Sequence, residues 1–281
     1  MPLVNMKELL LKADNENYAV GSFSIANMEM IIGAIKAAEE LKSPIILQIA
    51  EVRLKHSPLD IVGSTMVKAA EKAKVPVAVH FDHGLTVDNI KKALSLGFTS
   101  VMIDGSSLEL SENIKITSLV EKLARYYGAA VEGEIGHVGG SEDGSEDVEI
   151  EVTNIEDAKK FISDTNIDAL AVAIGNSHGV YKGKPRLRFD VLTKLNDNLN
   201  IPLVLHGGSG ISESDFRKCA TMGIRKINIA TATFNNVKDS VRNLNKELED
   251  YDYFTLHNTE IQGAYENVKK HIKIFGSENK A

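Results

Sequence analysis

The chain has 281 residues, is 43% hydrophobic and carries a formal charge of -7, enough apolar content for one barrel-sized core or two smaller ones. Mild acidity without a Lys/Arg block argues against nucleic-acid binding, and a single cysteine, Cys219, excludes an internal disulfide and suits a reducing cytoplasm. No stretch approaches the roughly 18 apolar residues that span a bilayer, so no membrane partner is expected, and MPLVNMKELL has charges too early and too small an apolar core for a signal peptide.

Residues 6–13 have helical spacing and precede the first strand, where they can cover the closed end of a fold. Strand one is expected at 18–24, followed by an amphipathic helix at 28–41. Strand two is 44–50 and its helix 58–72. Strand three begins as a charge-free run at 75–79 and ends in His80-Phe81-Asp82-His83-Gly84. An acid beside an imidazole at a strand mouth is costly to desolvate unless paired or bound to something, although a water-facing strand end explains this pair alone as well. A helix at 87–96 stops at Gly97, and strand four, 99–103, ends in Asp104-Gly105-Ser106. The helix 109–127 stops at Gly128, and strand five, 129–135, carries Glu132 and Glu134.

The long irregular stretch 136–149 is rich in Gly, Ser, Asp and Glu, the composition of a functional lid or a disordered insert. A helix at 154–164 with Asn154 as N-cap leads to strand six, 169–174, which ends in Gly175-Asn176-Ser177-His178-Gly179. A helix at 190–198 precedes strand seven, 202–205, which ends in His206-Gly207-Gly208-Ser209-Gly210. The helix 214–222 stops at Gly223, and strand eight, 226–229, opens through Ala230-Thr231 into a helix ending near 248. Residues 251–259 read as irregular, 263–275 as a last helix and 276–281 as a polar tail.

Eight strands, each followed by a helix and undivided by any linker, imply a parallel sheet. The size is that of a closed (β/α)8 TIM barrel with extra N- and C-terminal helices, one domain over 1–281. An open doubly wound sheet is the alternative, but no GxGxxG follows strand one.

In such a barrel chemistry sits at the C-terminal strand ends. His83, His178 and His206 stand at the ends of strands three, six and seven. One strand-end histidine is more often a hydrogen-bonded polar residue than a ligand. Three, each beside glycine or another small residue, point to a catalytic divalent-metal site with an open position. His56, His80, His137, His257 and His271 lie elsewhere or flank the mouth. Gly207-Gly208-Ser209-Gly210 after strand seven and Asn228-Ile229-Ala230-Thr231 after strand eight occupy the usual phosphate cradle, although a glycine-rich turn alone is weak evidence. Asp82, beside a candidate ligand, can exchange protons with a substrate oxygen. Glu142 could reach the site from the long loop, but its ordinary reading is a solvated acidic run with Asp143, Glu146 and Asp147.

FDHG, VMIDGS, VEGEIGHVGGSEDG, AIGNSHGVY, PLVLHGGSGI and KINIAT, in this order along nearly the whole chain, resemble the class II, metal-dependent fructose/tagatose-bisphosphate aldolases, a family of ketose-phosphate aldolases. The resemblance implies a (β/α) barrel, Zn2+ or another divalent ion, and reversible aldol cleavage yielding dihydroxyacetone phosphate and an aldehyde. It implies that His83, His178 and His206 hold the catalytic metal, and that Asp82 is the acid or base at the carbon under attack. Asp104 and Glu134 match carboxylates that hold a second ion or an alternative position of the first. Glu142 matches a mobile-loop acid that moves the proton on dihydroxyacetone phosphate. Gly179, Gly207 and Ser209, with the adjoining Gly208, match the phosphate cradle, often near a monovalent cation such as Na+ or K+. Asn228 and Thr231, with Ile229 and Ala230 between them, match the strand-eight substrate and phosphate contacts. A cytoplasmic homodimer or homotetramer acting on a small sugar phosphate is the expected state.

Family members acting on bisphosphates usually carry a hydroxyl residue just after strand two and an Asp-Pro-Arg segment after the strand-eight helix. Here those places read Ile49-Ala50-Glu51 and Tyr251-Asp252-Tyr253-Phe254, without hydroxyl or arginine at the matching positions. The substrate expected is a ketose 1-phosphate or 1,6-bisphosphate whose aldehyde half is unphosphorylated, or is phosphorylated and held differently, with Arg53 and Lys55 as nearby cations. The alternatives are a metal-dependent sugar-phosphate isomerase or epimerase, and a non-catalytic sugar-phosphate-binding barrel.

Overall fold

Eight short runs of small and β-branched residues each precede an amphipathic helix, and the buried pattern of every run pulls it into one sheet. The computed structural model describes residues 2–140, 151–179 and 185–281. Its strands are β1 (Val20–Ser24), β2 (Ile45–Ala50), β3 (Val77–Gly84), β4 (Ser100–Ile103), β5 (Ala130–Ile135), β6 (Ala169–Val172), β7 (Leu203–Leu205) and β8 (Ile224–Ile229). All pair in parallel in chain order, and β8 returns to β1 with Ser22 opposite Asn228, so the sheet is a closed barrel and not the open alternative. The helices are α1 (Met6–Glu16), α2 (Met28–Glu40), α3 (Leu59–Lys72), α4 (Val87–Ser95), α5 (Leu110–Tyr126), α6 (Ile155–Thr165), α7 (Phe189–Asn198), α8 (Glu213–Thr221), α9 (Thr231–Glu247) and α10 (Tyr253–Phe275). Asn154 caps α6 as expected, its side-chain oxygen accepting from the backbone N–H groups of Glu156 and Asp157. No helix among the described residues is long and apolar enough to cross a membrane.

The barrel interior is layered, because residues two apart on a strand share a face. At the closed end Val20, Ile46, Ala78, Ala130, Ala169 and Val204 pack against Met6, Leu9, Leu10 and Ala13 of α1, which plugs that end. Above this apolar floor the interior turns polar: Ser22, Gln48, His80, Ser100, Glu132 and Lys226 are all fully buried. The larger apolar core lies between the outer faces of the strands and the helices. Among the described residues the closed end is plugged by α1, so the polar layer faces the other end of the barrel.

The differences from expectation that bear on the site or the outer layer are these. Residues 253–259, expected to be irregular, are helical: α10 starts at Tyr253, capped by Asp252, whose carboxylate accepts from the Thr255 N–H at 2.8 Å. Its first turns are held by tertiary contacts, among them Asn27 to Glu260 at 3.2 Å and His257 to Glu29 at 2.9 Å, which local propensity does not report. β8 begins at Ile224, so Lys226 lies inside the strand and points into the barrel. β3 runs from Val77 through the whole His80–Gly84 motif, with its register to β4 shifting between Phe81 and Gly84.

Candidate active site

His83 lies near the end of β3 with φ +42°, a left-handed conformation uncommon outside glycine, in the stretch where the β3–β4 register shifts. Its Nδ1 lies 2.7 Å from Asp104 Oδ2 at the end of β4. An ionised carboxylate only accepts, so Nδ1 carries the proton and Nε2 carries the lone pair. Burial alone would raise the Asp104 pKa, but the hydrogen bond and charge of His83, with Ser106, hold it well below the usual carboxylate range. His206, just past β7, is arranged the opposite way round. Its Nε2 lies 2.7 Å from Glu132 Oε1, so Nε2 donates and the lone pair is on Nδ1.

The two lone-pair nitrogens, His83 Nε2 and His206 Nδ1, face each other at 2.8 Å. Such a contact is favourable only with a proton or a cation between the two atoms. The His178 ring stands beside them, its centroid 4.9 Å from that of His83 and 5.9 Å from that of His206. One nitrogen of each ring lies within 4.8 Å of the others. Burial, followed by the charges of neighbouring histidines, lowers the pKa of both His178 and His206, favouring the neutral, ligating form. Glu134 Oε2 lies 3.7 Å from His206 Nδ1 and is buried with no hydrogen-bond partner among the described residues. Burial and then the Asp104 charge push the Glu134 carboxyl up to about 8. His83, Asp104 and Glu134 also form a second group with ligating atoms within 4.8 Å. The donor set fits a divalent ion of the zinc type.

Asp82 points into the barrel one layer above His80 and is fully buried. Its Oδ2 accepts from Gln48 Nε2 at 2.9 Å, and Asn228 Nδ2 lies 3.1 Å and 3.3 Å from its two oxygens. Burial would raise its pKa, but the charge of His83, His80 Nε2 standing 3.5 Å from Oδ1, and the charge of Lys226 outweigh it and hold it well below the usual carboxylate range.

The loops after β5, β6 and β7 are stitched together. His178 N–H donates to Gly139 O at 2.6 Å, and Asn176 Nδ2 donates to His206 O at 3.0 Å. Gly207 has φ +62°, and a Cβ there would lie 2.2 Å from Ser177 O, so only glycine lets these two histidine-bearing loops approach. Gly208 and Ser209 lie beside the start of α9, where Ser209 Oγ accepts from the Ala232 N–H at 2.9 Å. Ile229 ends β8, Ala230 is the N-cap of α9 and Thr231 its first residue. Gly179 is the last described residue of the β6 loop, and Glu142 lies outside the described residues.

Two buried groups at the centre of the site, Glu132 and Lys226, carried no role in the sequence reading. Lys226 donates to Glu132 Oε2 at 2.8 Å, and both side chains are fully buried. Strand parity would have found them: each sits two residues before a residue already singled out, Glu134 and Asn228, and so faces the same interior. His80 precedes Asp82 in the same way, and its Nδ1 lies 2.9 Å from Ser100 Oγ. Glu51, just after β2 where bisphosphate-specific members usually carry a hydroxyl residue, accepts from the backbone N–H groups of Leu85 and Thr86 at the start of α4.

The family model described as "Fructose-bisphosphate aldolase class-II" matches residues 4–280. The chain is 37% identical over 285 residues to a sulfofructosephosphate aldolase of Alkalicoccus urumqiensis, spanning 100% of this chain and 99% of the relative. It is 38% identical over 285 residues to a probable fructose-bisphosphate aldolase of Bacillus subtilis, spanning 100% of both. The crystal structure of the YdjI aldolase from Escherichia coli K12 superposes with a TM-score of 0.89 at 35% identity, covering 99% of each chain.

Proposed function

A chain matched from residue 4 to residue 280 belongs to the class II fructose-bisphosphate aldolase family and is a carbon–carbon lyase; on that premise we propose that it reversibly cleaves a ketose 1-phosphate or 1,6-bisphosphate to dihydroxyacetone phosphate and an aldehyde. The observation that carries this reading is the meeting of His83, His178 and His206 next to a fully buried, ionised Asp82.

In the cleavage direction Asp82 takes the proton from the hydroxyl on carbon 4. The bond between carbons 3 and 4 breaks, and its electron pair moves to carbon 3 and the adjoining ketone oxygen. His83, His178 and His206 would hold a divalent ion, Zn2+ in our reading, which would supply positive charge for that developing oxyanion. Gln48 and Asn228 hold the Asp82 carboxylate in one orientation through their amide N–H groups. Asn228 Oδ1, buried and without a hydrogen-bond partner among the described residues, is an acceptor suited to a substrate hydroxyl. We assign return of a proton to carbon 3 to Glu142, and a second or alternative ion position to Asp104 and Glu134. Gly179, Gly207, Gly208 and Ser209, with the backbone at Ile229, Ala230 and Thr231, form the cradle for the 1-phosphate, beside which Na+ or K+ would sit.

The names of the relatives point to different second anionic groups on the sugar, a sulfo group in one and a second phosphate in the other. Arg53, in the turn Glu51–Arg53 after β2, has its guanidinium 5.3 Å from the centroid of Phe234 on α9 and is our choice for contacting an anionic far end. We read residues 1–281 as one aldolase domain in a cytoplasmic homodimer or homotetramer. The exposed Tyr253 and Phe254, 68% accessible each, support an assembled state.

The test is a panel of ketose 1-phosphates and 1,6-bisphosphates with coupled detection of triose phosphate. Release that stops with chelator and returns with zinc is expected. Interconversion of ketose phosphates without triose release would make the protein an isomerase or epimerase, and silence across the panel would leave a sugar-phosphate-binding barrel.

A further inference from the structure

The middle of the barrel holds an ion pair that no proton-transfer step uses. Lys226 of β8 and Glu132 of β5 are each 0% exposed, and 2.8 Å separates Nζ from Oε2. A desolvated ion pair is rarely worth more to stability than apolar residues of the same volume, so its presence at this depth asks for a positional reason. The other oxygen of the same carboxylate, Oε1, takes the Nε2–H of His206 at 2.7 Å. His80 Nε2, buried and without a hydrogen-bond partner among the described residues, lies 3.5 Å from Asp82 Oδ1 and 3.8 Å from Oε2. The ligating atoms of His80, Asp82 and Glu132 come within 4.8 Å of one another, but the Lys226 ammonium already supplies the cation there.

We propose that Lys226 is a positioning residue: by pinning one oxygen of Glu132 it aims the other at His206 Nε2, and so holds the His206 Nδ1 lone pair toward His83 and His178. Without the ammonium the carboxylate has two ways to turn. It can keep His206, or it can swing to the N–H that His80 presents once Ser100 satisfies its Nδ1. In the second arrangement His206 loses the acceptor that selects its tautomer. A proton on Nδ1 would then point at His83 Nε2, 2.8 Å away, where a ligand lone pair is needed.

This inference rests on the metal-histidine reading above, and the experiment separates the two. Zinc dissociation constants are measured by chelator competition for the wild type, His206→Ala, Lys226→Met and the double variant Lys226→Met/Glu132→Gln. Long-range proton–nitrogen NMR of the metal-stripped proteins reports the His206 tautomer. Lys226→Met should bind zinc about 10- to 100-fold more weakly, the usual effect of losing a partner behind a ligand, and should show His206 protonated on Nδ1 or mixed. The double variant, whose neutral amide has no ammonium to orient it and can turn its NH2 toward His206, should lose affinity and mix the tautomer as the single variant does. Wild-type zinc binding and tautomer in Lys226→Met would overturn the positioning role. Affinity and tautomer restored in the double variant would do the same, because Lys226 would then only neutralise the Glu132 charge. Should Lys226→Met fail to fold, the double variant decides: weakened zinc binding with a mixed His206 tautomer supports the role, and wild-type binding and tautomer reject it. Zinc retained by His206→Ala would instead sink the ligand reading itself.

Discussion

Behind each of two neighbouring imidazoles stands a carboxylate, Asp104 behind His83 and Glu132 behind His206, and these acids decide which ring nitrogen faces the centre of the site. Asp82 differs from both. Its nearest hydrogen-bond partners are amides, with His80 Nε2 farther off at 3.5 Å, so its charge is available for proton transfer. Asp82→Ala should therefore keep its divalent-metal content while kcat for cleavage falls by about 10²–10⁴-fold, the usual worth of a general base. Near-normal turnover in that variant would remove Asp82 from the mechanism. A second residue-scale expectation concerns His271 on α10, packed among Phe23, Phe216 and Phe275. Burial pushes its pKa from 6.5 down to about 4, against a partly offsetting hydrogen bond to Asn267 O. Below pH 6.5 the unfolded chain takes up a proton here that the folded chain refuses, so stability is lost as pH falls from 6.5 toward 4. The loss is up to about 3 kcal/mol. His271→Phe should flatten the fall of Tm across that window; an unchanged slope would show that another group governs it.

Between elements, the clasp of α10 on α2 and α9 completes the outer layer and carries the chain end back to the strands. α2 approaches α10 through Gly33, where a Cβ would meet Ile261 O at 2.5 Å and Ala264 Cβ at 2.9 Å. Backbone cannot give way as a flexible side chain does, so Gly33→Ala should cost about 1–3 kcal/mol, with Tm lower by several degrees in a thermal melt. The residues involved are far from the polar layer, and kcat/KM at 25 °C should not change. An unshifted Tm would mean that the two helices re-pack without strain. The same clasp explains why the start of α10 escaped a reading by pattern. Tyr253 and Phe254 carry no apolar periodicity of their own, and the turn they begin is secured by Glu29 and Asn27 on a helix more than 200 residues earlier.

Across the molecule, the three candidate ligands come from β3 and from the loops after β6 and β7, which only a closed barrel brings together. An ion shared by them would tie distant parts of the fold to one another and bind only the native state. Zinc at about 1,000 times its dissociation constant should raise stability by roughly 4 kcal/mol, seen as a higher Tm that chelator reverses. A Tm indifferent to zinc and chelator would argue that these rings do not share an ion. The sequence by itself determined the alternation of strand and helix, the parallel sheet and the residues at the strand mouths, because periodicity, helix caps and glycine-marked turns are local properties that a neighbouring residue reveals. Closure into a barrel and the pairing of Lys226 with Glu132 were decided only by the tertiary structure. Parity along a strand groups residues on one face but is silent about which charge meets which until the register is set, and the partner here lies 94 residues away on a strand across the interior.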